Sequence, residues 1–203
     1  MAEKAVKLTH SQLKRLAILD ASQEEFMVNG FAGASMDRIA QRANVSKRTV
    51  YNHFPSKEVL FEATTSDLWA RTKEAATLAF NPEQSLESQL QHIARRCWEL
   101  YQQPDFLRVA RVVMAEFIRS PIQATEAMER LAKQEGGLEA WLAGAVAHKA
   151  LQIDNIPLAA TQFWGMFKAF AFWPKLFHMK SHDEYQQDII DANIRMFLAM
   201  YRA

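Results

Sequence analysis

The chain has 203 residues, 49% apolar and 23% charged, with six Gly, six Pro and one cysteine. That suits one ordinary domain, or a large and a small one sharing a core, and excludes fibrous and disordered classes, an internal disulfide and a cysteine-based zinc knuckle. The net charge of +1 is unevenly placed: residues 1–60 hold nine Lys/Arg against six Asp/Glu, residues 61–203 fifteen against seventeen, and all five tryptophans lie in the second part. The most apolar stretch, Phe163 to Trp173, is interrupted by Lys168 and closed by Pro174, so it is too short and too polar to span a bilayer. The N-terminus (MAEKAVKLTH) has no apolar leader, and the expectation is a soluble, cytosolic protein.

Helical punctuation recurs along the chain and strand signals are nearly absent. Thr9 with Gln12 forms a capping box, after which Leu13, Leu16/Ala17, Leu19 and Phe26 recur at helical spacing until Gly30, a suitable left-handed C-cap. Ser35 caps a short helix from Met36 to Ala43, Asn44–Val45 is a turn, and Ser46 caps a third helix, Lys47 to His53. Pro55–Ser56 starts a long helix, roughly Glu58 to Phe80. Asn81–Pro82 places a capping residue before a proline, and a helix of about 20 residues is expected to Gln103. Pro104–Asp105, Ser120–Pro121, Gly136–Gly137 and Asn155-Ile156-Pro157 mark further restarts, and Ser181 with Glu184 reads as a capping box opening a last helix to Tyr201. The pattern is that of an all-α protein of about nine helices: a small N-terminal domain (1–55) and a larger helical domain (56–203).

The last helix carries two apolar stripes, Ile189, Ala192, Met196 and Met200 beside Ile190, Ile194, Phe197 and Tyr201. One stripe suffices for a helix buried on its own core. The preceding segment, Thr161 to Trp173, is also apolar on most sides, so the last two helices predict a homodimer through a four-helix bundle.

Residues 36–54 (MDRIAQRANVSKRTVYNHF) meet the demands of a helix-turn-helix. Ala40 is small enough for the helix crossing, Asn44 tolerates positive φ in the turn, and Val50 is the apolar anchor. With Val50 inward, Arg48 and Asn52 point away from the core, flanked by Thr49 and Tyr51. Arg can bond guanine bidentately, Asn can pair with adenine, and Thr can touch a thymine methyl. Lys47, Tyr51, His53 and Lys57 surround this face as candidate phosphate ligands, and the helix starts after Ser35 and Ser46 offer free N–H groups. Double-stranded operator DNA is the partner this arrangement predicts.

Residues from about 11 to 61 closely resemble the N-terminal domain of the TetR family of bacterial transcriptional regulators. The resemblance is carried by Phe26, Gly30 and Phe31, by Ser35-Met36-Asp37-Arg38-Ile39-Ala40, and above all by VSKRTVYNHFPSKEVLF, Val45 to Phe61. The segment Ala169-Phe170-Ala171-Phe172-Trp173-Pro174-Lys175-Leu176-Phe177 is similar to the AefR-like C-terminal group. The resemblance implies a dimeric repressor on a pseudo-palindromic operator, with Tyr51, His53 and Lys57 at positions that hold phosphates and Arg48, Thr49 and Asn52 at positions that read bases. It also implies a small molecule among the C-terminal helices that shifts the helix from Ser56 and so changes the separation of the two recognition helices.

Trp98, Tyr101, Met114, Phe117, Trp141, Trp164, Phe167 and Phe170 are the candidates for lining an effector pocket, which would suit an apolar or aromatic molecule. Arg95, Arg96, Arg108, Arg111 and Arg119 share these helices and could hold an anionic group if one faced inward. No catalytic constellation emerges. His178 and His182 are four apart, but the cap expected at Ser181 separates them, and Cys97 and His92 lie on different helix faces. No metal, no cofactor and no membrane partner is expected. The competing reading is an all-α small-molecule carrier without a specific operator, which would be indifferent to Arg48, Thr49 and Asn52.

Overall fold

A computed structural model describes residues 8–132 and 137–203, with all side chains there except those of residues 123 and 128–132. Gly136, half of the expected Gly136–Gly137 restart, lies outside the described residues, as do residues 1–7. The described chain forms eleven α-helices and one 3₁₀ turn: α1 (His10–Gly33), α2 (Met36–Arg42), α3 (Lys47–His53), α4 (Lys57–Ala76), α5 (Leu86–Gln102), α6 (Pro104–Arg119), α7 (Pro121–Ala132), α8 (Leu138–Ala147), α9 (Ile156–Ala171), α10 (Trp173–Leu176), a 3₁₀ turn at Asp183–Tyr185, and α11 (Gln186–Tyr201). Extended pairing among the described residues is limited to one isolated bridge, Leu151 with Arg202. No helix among them is long and apolar enough to cross a membrane.

The chain divides into two compact units. The first runs up to Asp67 and includes Arg111–Ala124; the second comprises Leu68–Ala110 and Thr125–Ala203. The division therefore falls inside α4, inside α6 and inside α7.

In the first unit Ile18, Phe26, Ile39, Ala40, Val50, Phe54, Leu60 and Phe61 form the core, joined by Val112. Phe26, Phe31 and Phe61 meet as an aromatic trio, with ring centroids 5.1–5.9 Å apart. The inward face of α1 is the expected one at Leu19 and Phe26 but not before them. Leu13 and Leu16 are exposed, and Ile18, Leu19, Ala21, Ser22, Glu25 and Phe26 are buried on the side that packs on α2 and α3. Gly30 has φ 65° and ψ 170°, so α1 kinks there and resumes for one more turn instead of ending. That backbone conformation is close to exclusive to glycine.

The second unit packs α5, α8, α9 and α11 on one another. Its core holds Trp98, Trp141, Leu142, Phe163, Phe167, Ile190, Ile194 and Phe197. Three expected boundaries move, and at each of them side-chain hydrogen bonds other than the expected cap are made. The helix expected to reach Phe80 stops at Ala76, where the Arg96 guanidinium donates to the carbonyls of Glu74 (2.7 Å) and Thr77 (2.9 Å). The helix expected from Pro82 starts at Leu86, capped by Ser85. Here the buried Gln89 amide accepts from Asn81 N–H and donates to the carbonyls of Asn81 and Gln84, holding that stretch as a turn. Ser181 does not cap the last helix. Its hydroxyl donates to Asp183, which also takes Lys175 and the Trp98 indole, and α11 begins after a 3₁₀ turn without a side-chain cap.

Candidate nucleic-acid interface

The short helices of the helix-turn-helix begin on capping serines. Ser35 Oγ accepts from Asp37 N–H, and Ser46 Oγ accepts from Thr49 N–H at 3.1 Å. Between them α2 ends in a Schellman motif: Val45 N–H donates to Ala40 carbonyl (3.0 Å) and Asn44 N–H to Gln41 carbonyl (3.2 Å). Asn44 supplies the required left-handed residue, at φ 52°. Ala40 is buried where α2 and α3 meet, and Val50 is fully buried on the inner side of α3.

This packing leaves Lys47, Arg48, Tyr51 and Asn52 exposed, with Thr49 and His53 half-buried beside them. Lys47 pairs with Asp37 at 2.8 Å, which raises the lysine pKa. Thr49 shares its hydroxyl with Ser46 at 2.8 Å, and the His53 ring lies 6.4 Å from that of Phe54. Lys57 is turned toward the end of α1: its ammonium donates to the carbonyls of Ala32 (3.0 Å) and Ala34 (3.2 Å) and sits 4.9 Å from the Phe31 ring centre. Two of its three donors are thus committed, leaving one for a phosphate.

A residue missed from sequence sets the angle of α2. Glu25, on α1, is fully buried. Its Oε1 accepts from Arg38 Nε at 2.7 Å and from the Ser35 N–H at 3.2 Å, while Arg42 Nε lies 3.5 Å from Oε2. Burial alone would push the carboxyl pKa up, but the Arg38 hydrogen bond, the Ser35 N–H and the charges of Arg38 and Arg42 hold it below its ordinary value. The sequence signal is thin: a lone Glu on the apolar side of α1, with two arginines four apart on the next helix.

The aromatic candidates are spread over both units. Met114 and Phe117 fall in the first, and Trp98, Tyr101, Trp141, Trp164, Phe167 and Phe170 in the second. Several have core partners. The Trp141 indole donates to Gln89 at 3.0 Å and packs edge-on to Phe80, and Phe163 contacts both Trp164 and Phe167. Phe170 meets His182 edge-on. Tyr101 is 2% exposed, stacks near Phe106 and Phe172, and its hydroxyl has no hydrogen-bond partner. Of the arginines, Arg96 caps α4 and Arg95 donates to Gln187. Burial pushes the Cys97 thiol up to about 12, so it stays protonated. No group of His, Cys, Asp and Glu among the described residues is arranged to hold a metal ion.

The AefR-like transcriptional repressor C-terminal domain matches residues 88–203, and the bacterial regulatory proteins of the tetR family match residues 18–64. The chain belongs to the TetR family. Its TetR fold is similar to that of a TetR family transcriptional regulator from Pseudomonas syringae pv. tomato, with TM-score 0.83 and 36% identity over 96% of this chain and 98% of that one. The flavonoid-responsive regulator FrrA matches with TM-score 0.70 and 26% identity over 93% and 97% of the two chains. The HTH-type transcriptional regulator BetI of Burkholderia thailandensis is 29% identical over 170 residues, 70% of this chain and 86% of that protein. The chain is a ligand-responsive transcriptional regulator, and repression is the role typical of its family. TetR regulators bind operator DNA as dimers and respond to small-molecule effectors.

Proposed function

We propose that two copies of this chain pair through α9 and α11 and set two α3 helices into successive major grooves of a pseudo-palindromic operator. Residues 1–55 read the DNA, and residues 56–203 pair the copies and take up an apolar or aromatic effector that releases the complex. Arg48, Thr49 and Asn52 contact bases. Lys47, Tyr51, His53, Lys57 and the helix starts after Ser35 and Ser46 hold phosphates. The protein works in the cytoplasm, beside its operator, without a cofactor and without catalysing a reaction.

The observation that carries this reading is the outer face of α3, where Arg48 and Asn52 are exposed and Val50 locks the opposite side into the core. Pairing is supported by the last helix. Its Ile190–Ile194–Phe197 stripe is buried, while Met196 and Met200 on the other stripe are 56% and 74% exposed. On α9 the exposed Gly165 and Ala169 leave room for a close helix partner. The Lys47–Asp37 pair has to open before Lys47 meets a phosphate, so that lysine contributes less than an unpaired one.

Anisotropy of a labelled duplex from the region upstream of the gene, titrated against a scrambled duplex at equal salt, tests the reading. Arg48→Ala is expected to lose about 1–3 kcal/mol on the specific duplex and little on the scrambled one. Lys57→Ala should weaken both alike and reduce the salt slope by about one. Met200→Glu should convert dimers to monomers by mass and abolish specific binding. If a random-duplex selection enriches no palindrome, the chain is a carrier protein instead.

A further inference from the structure

We propose that Arg15, on the second turn of α1, is a DNA-backbone ligand, so that contact with the operator extends from α3 onto the start of α1. This rests on the operator reading above and deepens it by a phosphate contact from a helix outside the helix-turn-helix.

The helix-turn-helix is short of free positive charge. Residues 35–57 hold five Lys and Arg. Arg38 and Arg42 are paired with the carboxylates of Glu25 and Glu24, and Lys47 with Asp37, while the Lys57 ammonium donates to the carbonyls of Ala32 and Ala34. That leaves Arg48, which the reading above gives to bases. A cation that neutralises a phosphate drives binding by releasing counterions, and one already holding a carboxylate must first give it up.

The start of α1 supplies what is missing. From Lys4 to Leu19 the sequence carries four Lys and Arg, one His and no carboxylate. Within that stretch Arg15 is exposed, and its guanidinium sits over the Phe54 ring, with Cζ 5.1 Å from the centroid. Phe54 is 1% exposed and ends α3 as its C-cap, one residue after His53, whose ring lies 6.4 Å away. The cation is thereby held at the end of the reading helix, beside a residue given to a phosphate. A helix in the major groove has sugar-phosphate backbone on either side of it, within reach of groups at its ends.

The contact itself suits an oxyanion. A ring takes no conventional hydrogen bond, so the guanidinium keeps its N–H donors for a planar, bidentate partner. Resting on a buried ring also restricts the side chain in advance, which lowers the entropy lost on binding. No carboxylate among the described residues pairs with Arg15.

The full-length wild type, Arg15→Met, Arg15→Lys and Lys180→Met are titrated with specific and scrambled duplexes over a range of salt. Arg15→Met should weaken both duplexes alike and lower the slope of log K against log salt by about 0.9 for each copy bound. Its melting temperature should stay near that of wild type, because a methionine also packs on a ring. Arg15→Lys keeps the charge and should keep the slope. Lys180→Met removes an exposed cation from the second unit and should change neither. An unchanged slope in Arg15→Met overturns the assignment, and a lower melting temperature beside it makes Arg15 a clamp between α1 and α3. An equal fall in Lys180→Met also overturns it, and either result leaves the operator reading standing. A fall confined to Arg15→Met, while a random-duplex selection enriches no palindrome, sinks the operator reading and keeps the phosphate contact. Wild type that binds neither duplex overturns both.

Discussion

In the N-terminal unit the buried carboxylate of Glu25 meets Arg38, Arg42 and the N–H of Ser35, whereas in the C-terminal unit the buried hydroxyl of Tyr101 meets no hydrogen-bond partner. Both units bury polar groups, and each leaves one oxygen without a hydrogen-bond partner, Glu25 Oε2 in the first and the Tyr101 hydroxyl in the second; the difference is that the Glu25 carboxylate is ion-paired and hydrogen-bonded through its other oxygen. A helix-turn-helix must present α3 at one angle, and the buried Glu25 carboxylate, paired with Arg38 and Arg42, ties α2 to α1. A unit that has to respond to a ligand gains from the opposite condition. A ligand can shift an equilibrium only through contacts that the empty state lacks, and an unmet donor is one place for such a contact. The contrast predicts that polar substitutions cost stability in the first unit and relieve it in the second.

Arg38→Met is the strongest attempt to break that contrast. It leaves Glu25 buried and facing only Arg42 and one backbone N–H, and a loss of about 2–3 kcal/mol is expected, discounted because Arg42 remains. Urea denaturation followed by circular dichroism measures it, and a loss within error of zero would mean that the pair is not what fixes α2. The same variant changes the response to acid. The Glu25 pKa in the folded protein lies below its ordinary value of 4.5, so its contribution is present above that pH and is lost as pH falls through the folded value. Wild type should therefore lose stability below about pH 4.5 more steeply than Arg38→Met does.

Backbone strain offers a second comparison inside the first unit, between two glycines of α1. Gly30 sits at φ 65°, and a Cβ there would also lie 2.6 Å from the Arg119 guanidinium, whose flexible end can move. Gly33 is helical, with room for a methyl beside Asn29. Gly30→Ala should cost about 2 kcal/mol from the backbone alone, while Gly33→Ala should be neutral or stabilise by about 0.5 kcal/mol. Equal melting temperatures for the two variants would show that the kink in α1 is not held by its glycine.

The helix-turn-helix was legible because its determinants are local. Ser35 and Ser46 cap the helices predicted for them, α3 runs from Lys47 to His53 as predicted, and Asn44 takes up positive φ. Each of these follows from residues within a few positions of each other. What the sequence hid depends on distant partners. The exposure of Leu13 and Leu16 reflects where α2 and α3 pack, the late start of α5 reflects the reach of Gln89 back to Asn81, and the failure of Ser181 to cap reflects the demand Lys175 and Trp98 make on Asp183. The same holds at the sites. Lys57 reads as a plain phosphate ligand until the carbonyls of Ala32 and Ala34, more than twenty residues earlier, are placed beside it.

The smallest expected effect compares the two units at one shared device. Asn44 after α2 and Lys149 after α8 both occupy the left-handed position of a Schellman motif, at φ 52° and 57°. Asn visits that region cheaply because its short amide bonds the local backbone, whereas the Lys stem gains nothing there and keeps the clash of its Cβ. Asn44→Gly should therefore change stability by less than roughly 0.3 kcal/mol. Lys149→Gly, at an exposed side chain, should stabilise by about 0.5–1 kcal/mol after the extra chain entropy of glycine is subtracted. A gain at Asn44 matching that at Lys149 would show that the turn between α2 and α3 is strained after all.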